Sequence, residues 1–214
     1  MFRIIKNGSE EDPIEKVKDL NEYCVLDIET TGLQFRTEKI TEIGAIKIRD
    51  GQVVGEFECF VNPERHISEE ITNITGITDS MVAKSETIKE VLPKFFEFIE
   101  ESTLVAHNAD FDIGFIRYNA EILGLDFKND YIDTLALSRE LFPEFTKHKL
   151  GIIAENLGIK VKNAHRALDD VKTLVAVFQK MKASIIADNP VRRRRTGLFA
   201  NIPCNNTCKK SERT

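Results

Sequence analysis

Two acidic residues interrupt an apolar run in VLDIETTGL, residues 25–33: Asp27 and Glu29. Side chains alternate across a strand, so residues two apart project from the same face. Two carboxylates side by side on an apolar strand repel each other and lose hydration, and each penalty costs kilocalories unless a partner neutralises them. Two further acids come from helical patterns. In NADFDIGF, residues 108–115, Asp112 shares a row with Phe115, Ile116, Asn119 and Leu123, whereas Asp110 aligns with Ile113, Gly114, Arg117 and Glu121. In HRALDDVKTLVAVFQKM, residues 165–181, Asp170 falls on the row of Leu174, Val177 and Met181, and Asp169 on that of Lys172, Thr173, Ala176 and Lys180. Asp112 and Asp170 are therefore the inward pair.

Taken singly, each acid has an ordinary reading: Asp112 or Asp170 as a helix cap, Glu29 as the partner of an arginine. Together the four are harder to explain that way, because the chain offers few inward basic residues to match them. A divalent cation is the more economical neutraliser, and all-carboxylate ligation suits Mg²⁺ or Mn²⁺, with water or phosphate oxygens completing the shell. His165 lies five residues before Asp170. On a continuous helix five residues turn through about 140°, so His165 belongs in the loop before the helix. There an imidazole with an ordinary pKa of about 6.5 can take a proton from water at neutral pH.

The elements that must position these groups follow from periodicity. Residues 22–29 read as a first strand, and 39–61 as a hairpin with Asp50-Gly51 at its turn and Asn62-Pro63 at its end. A helix near 87–99 keeps Ile88, Val91, Leu92, Phe95, Phe96 and Ile99 at helical spacing, and Pro93 within it predicts a kink or a late start. LVAH, 104–107, reads as a short buried strand running into a helix that closes at Gly124; YIDT, 131–134, is a further short strand; helices follow near 134–141, 149–157 and 167–181. Such a mixture predicts an α/β fold with a mixed sheet and helices packed on its faces.

Composition bounds the alternatives. The 214 residues include 42% hydrophobic residues and 14 Phe, enough for one sizeable core with tails. We divide the chain into an N-terminal extension (1–20), a domain (21–182) and a basic C-terminal tail (183–214) expected to be disordered or an expression remnant. No apolar run reaches about 18 residues, and MFRIIKNGSEEDP is too charged for a secretory signal. A soluble, cytoplasmic protein without membrane contact is expected. Four cysteines are few, and Cys24 and Cys59 sit in apolar runs, so disulfides are not expected. Cys204 and Cys208 lack two further ligands for zinc. Residues 182–214 hold eight basic residues against two acids, leaving 22 against 33 elsewhere, so the body is near −11 and the tail near +6. An acidic body argues against unaided binding of nucleic acid, while Arg192–Arg195 could attract phosphates.

DIETTG (27–32), HNADFD (107–112) and HRALDD (165–170), in that order, resemble the three motifs of the histidine branch of the DEDD exonucleases, the DEDDh type. The likeness covers about residues 22–181. ITGIT (74–78) and IDTLALSRELFPEF (132–145) carry a closer resemblance to the proofreading exonucleases of bacterial DNA polymerase III, both the epsilon subunit and the PolC-type domain. The resemblance implies an RNase H-like fold with a five-stranded mixed sheet, and removal of nucleotides from 3′ ends. It maps Asp27, Glu29, Asp112 and Asp170 onto metal ligands and His165 onto the general base, with two Mg²⁺ or Mn²⁺ ions about 3.5–4 Å apart clamping the scissile phosphate. Position 166 is Arg, not the tyrosine of the family's other branch, which favours direct activation of water by histidine.

By position in the motifs, Thr30, Gly32, Leu33, His107, Asn108 and Phe111 are the substrate-binding candidates, Leu33 as a wedge against the terminal base; strand-end packing and helix capping account for His107, Asn108 and Phe111 about as well. The implied partners are single-stranded or frayed 3′ ends of DNA and a polymerase subunit. An exonuclease acting on RNA ends would use the same residues, and a non-catalytic polymerase-associated module is the alternative of a different class, though none of its five key residues is missing. An acidic metal-buffering protein leaves His165 and the motif order unexplained.

Overall fold

A computed structural model describes residues 13–160 and 166–187. The chain folds into a five-stranded sheet in the order β3-β2-β1-β4-β5. Its strands are β1 (Glu22–Thr30), β2 (Ile40–Arg49), β3 (Gln52–Phe60), β4 (Thr103–Ala106) and β5 (Tyr131–Asp133). The first three pair antiparallel, while β4 joins β1 and β5 joins β4 in parallel. This is the mixed sheet expected. The β2–β3 hairpin turns at Asp50 and Gly51, both with positive φ (50° and 77°), the conformation that favours Asp-Gly in a two-residue hairpin.

Eight helices accompany these strands among the described residues: α1 (Pro13–Asp19), α2 (Glu69–Thr75), α3 (Asp79–Val82), α4 (Ile88–Ile99), α5 (Asp110–Leu123), α6 (Thr134–Leu141), α7 (Leu150–Asn156) and α8 (Ala167–Ala187). Alternation along the strands splits the core into two layers. Cys24, Leu26 and Ile28 of β1 face α4 and α5, packing with Phe95, Phe115 and Ile116. Tyr23 and Val25 face the other way, toward α8, where Val171, Leu174 and Phe178 are buried. Tyr23 meets Phe178 edge to face at 5.1 Å, and burying each such side chain stabilises the fold by roughly 1.5–3 kcal/mol.

Of the kink or late start expected from Pro93, the late start does not occur. Helix α4 begins at Ile88, where Glu90 Oε2 accepts from the Thr87 amide at 2.8 Å and so satisfies a donor that the first turn leaves open. Gly124 closes α5 with φ 66°, as its position predicts. Helix α1 is not foreseen by the sequence; its Val17 is fully buried with Tyr23 and Ile185. Cys24 and Cys59 are free thiols. Among the described residues no helix is long and apolar enough to cross a membrane.

Candidate active site

Strand β1 outruns its parallel neighbour. Its ladder with β4 covers only Tyr23–Val25, yet β1 continues to Thr30. Past Ala106 the chain turns into α5, and a side chain takes over the pairing: Asp112 Oδ1, in the first turn of α5, accepts from the Ile28 amide at 3.1 Å. Asp112 is thereby tied to the overhang and is only 2% exposed. Asp27 and Glu29 share the α8 side of the strand with Tyr23 and Val25, as alternation demands. Helix α8 then presents Asp170 from its first turn.

Ligand oxygens of Asp27, Glu29 and Asp170 lie within 4.8 Å of one another. Burial drives the Asp27 carboxyl well above the ordinary range, and the charges of Asp112, Glu29, Asp170 and Glu42 push the same way. Glu29 is raised to about 7, by burial first and then by Asp170 and Glu42, with Arg166 pulling the other way. Asp112 is raised to about 8 by burial, against the pull of its backbone hydrogen bonds. Converging carboxylates form a hard-oxygen donor set suited to a divalent cation. The residues present fit such an ion.

Residues 24–178 match the sequence profile of the exonuclease (RNase T) family. The chain belongs to the exonuclease family. It is 48% identical over 183 residues to the PolC-type DNA polymerase III of Clostridium perfringens, covering 84% of this chain and 12% of that protein. Against the same polymerase of Caldanaerobacter subterraneus it is 48% identical over 160 residues, 75% of this chain and 11% of that one. The chain thus spans about an eighth of the length of these relatives. Among solved structures, exonuclease X in complex with 5′ overhanging duplex DNA superposes with a TM-score of 0.63 at 29% identity, over 76% of this chain and 92% of that one. The nuclease domain of 3′hExo, a DEDDh family member bound to rAMP, superposes with a TM-score of 0.66 over the same shares at 21% identity, a likeness of fold. The fold is the RNase H-like one of these exonucleases.

Around the acids of this exonuclease domain, the remaining candidate residues take varied places. The Thr30 hydroxyl donates to the Gly32 carbonyl at 2.7 Å, closing the turn after β1. A Cβ at Gly32 would stand 2.9 Å from Glu38 Cγ, so a larger residue there would require the Glu38 side chain to shift. Leu33 is 81% exposed at the crest of this turn. His107 has both ring nitrogens engaged, Nδ1 with Thr134 Oγ1 at 3.0 Å and Nε2 with the His148 carbonyl at 2.9 Å. Asn108 sits at φ 63° and its amide donates to Asp133 Oδ1 at 2.9 Å. Phe111 packs against Phe115 with ring centroids 5.1 Å apart. His165, Cys204, Cys208 and Arg192–Arg195 lie outside the described residues.

Asp110 points away from the cluster and accepts from the Tyr131 hydroxyl at 2.9 Å. Burial does not distinguish Asp170, expected as the inward aspartate, from Asp169. Asp169 and Asp170 are both half-buried and Thr173 is 6% exposed, because α8 is covered on more than one side. Cluster geometry, not burial, separates the two aspartates. Sequence reasoning also missed Glu42, directly opposite Glu29 on β2, and its partner Arg166. The signal was present, since Glu42 interrupts ITEIGAI as Glu29 interrupts β1, but its partner lies 124 residues away.

Proposed function

We propose that this domain hydrolyses DNA from its 3′ end, one nucleotide at a time, releasing nucleoside 5′-monophosphates, and that it serves a replicative polymerase in the cytoplasm as a proofreader. The convergence of Asp27, Glu29 and Asp170 carries the reading, with Asp112 tied to the same strand. These four carboxylates hold two divalent cations, Mg²⁺ or Mn²⁺. When bound, the cations supply Lewis-acid charge to the scissile phosphate and the attacking water. His165 takes a proton from that water as its oxygen bonds to phosphorus; the bond from phosphorus to the 3′ oxygen breaks, and the leaving oxygen is protonated from solvent. Leu33, exposed just beyond the end of β1, separates the terminal base from its neighbour. The polymerase relatives support DNA as the substrate, offered as a single-stranded or frayed end.

The test is a degradation assay on 3′-labelled single-stranded DNA, mismatched duplex and RNA, with Mg²⁺, Mn²⁺ or EDTA. The wild type releases labelled mononucleotide from DNA only when metal is present, and Asp112→Ala lowers the rate by at least about a hundredfold. Equal rates for the two proteins overturn the assignment, and a preference for the RNA arm moves the substrate to RNA ends.

A further inference from the structure

Strand β2 carries an ion pair, its carboxylate buried and its guanidinium 37% exposed, that no step of hydrolysis uses. Glu42 is fully buried, yet it accepts four hydrogen bonds, all from the start of α8. Arg166 Nη2 reaches Oε1 at 2.8 Å, Arg166 Nε lies 3.2 and 3.3 Å from the two oxygens, and the Ala167 amide donates to Oε2 at 3.1 Å. The guanidinium also lies over the Phe60 ring, 5.1 Å from its centroid, and 3.5 Å from Glu58. Two residues along the same face, a Cβ at Gly44 would stand 2.7 Å from backbone atoms of Ala167 and Leu168, so the helix start rests directly on the strand.

The pin has a target. Glu42 stands opposite Glu29 and Gly44 opposite Asp27 in the β1–β2 register. The Asp170 amide donates to the Arg166 carbonyl at 2.9 Å, one helical turn from the pinned residue. Fixing Arg166 on β2 therefore fixes Asp170 relative to the two β1 acids. An ion pair with one buried member is weak evidence for stability, since burying the carboxylate costs hydration that well-packed apolar residues of similar volume do not lose. Placing a further carboxylate beside a cluster of acids is worse still, unless its bonds set a geometry that apolar packing cannot. The forked, planar guanidinium meets the carboxylate through two nitrogens and so restricts orientation as well as distance.

We propose that Glu42 and Arg166 form a positioning pair that sets the separation between Asp170 and the β1 carboxylates, and thereby the affinity of the site for divalent cations, without touching substrate. This rests on the metal-dependent reading above. The experiment measures Mn²⁺ binding to the substrate-free protein by the electron paramagnetic resonance signal of the free ion, with nucleolysis kinetics and far-ultraviolet circular dichroism alongside. Arg166→Met is expected to weaken Mn²⁺ binding tenfold or more and to lower kcat with KM within twofold. Arg166→Lys, which keeps the charge but loses the fork, falls severalfold. Glu42→Gln combined with Arg166→Met weakens binding no further than Arg166→Met alone, because the two act as one device.

Val177→Ala, a fully buried position on the same helix, lowers Tm while leaving Mn²⁺ affinity unchanged, which separates positioning from general loosening. A folded Arg166→Met protein with wild-type affinity overturns the proposal, as does an equal loss in Val177→Ala. Should Arg166→Met fail to fold, Arg166→Lys decides, and wild-type affinity there is the overturning result. A wild type that binds Mn²⁺, shows the variant pattern and degrades no nucleic acid leaves the positioning pair standing and removes the assigned activity. A wild type that binds no Mn²⁺ removes both.

Discussion

Asp112 sits where its charge is least welcome, almost fully buried and near two acidic side chains of β1, with an amide hydrogen bond as partial compensation. The metal-free protein should record this in its pH dependence. A carboxyl whose pKa rises on folding holds its proton more tightly in the folded state. Its contribution to stability is complete below the unfolded value of about 4 and lost as pH climbs through the folded value. With Glu29 raised to about 7 and Asp112 to about 8, Tm in EDTA should fall between pH 5 and pH 9. Saturating Mn²⁺ should flatten that fall, and Glu29→Gln should flatten part of it in EDTA; thermal scans at five pH values check both. The acids were legible in the sequence because alternation and helical rows mark local pattern breaks. Arg166 was not, since a long-range ion pair leaves no local periodic trace. The hydrogen bonds that occupy both nitrogens of His107 were hidden for the same reason.

At the level of elements, β1 is the spine of the site because it runs beyond β4, and α8 packs onto its other face. Gly44 makes that docking possible. In Gly44→Ala the new methyl group meets α8 backbone at 2.7 Å, which no side-chain rotation relieves. A loss of about 1–3 kcal/mol in stability is expected, with nucleolysis reduced at least tenfold as Asp170 shifts; urea unfolding and the degradation assay measure the two effects. All five strands and helices α4 to α8 were legible, since each carries a clear period or a capping glycine. Helices α2 and α3, of 7 and 4 residues, are shorter than the window in which helical spacing can be counted. Helix α1 is equally short, and its buried Val17 sits in a charged stretch with little apolar rhythm.

The whole molecule carries its charge unevenly, near −11 over residues 1–181 and near +6 beyond. A polyanion approaching the acidic cluster meets repulsion that cations held there, as proposed, would reverse. A phosphorothioate-linked single strand, chosen to resist hydrolysis, should therefore bind at least tenfold more tightly with Mn²⁺ than with EDTA, as read by fluorescence anisotropy. Removing residues 188–214 should reduce the steepness of the salt dependence if the arginine run meets phosphates. This division of charge was plain from composition alone, whereas the closeness of Asp27, Glu29 and Asp170 needed the folded sheet.

The scattering of those acids has a consequence in time. Asp27 belongs to the first described strand and Asp170 to the final described helix, so a ribosome that has delivered all five described strands still holds a polypeptide without the full set of proposed ligands. On the proposed activity, cutting power would arrive only once α8 had been synthesised and seated, and a half-made copy would leave the DNA around it intact.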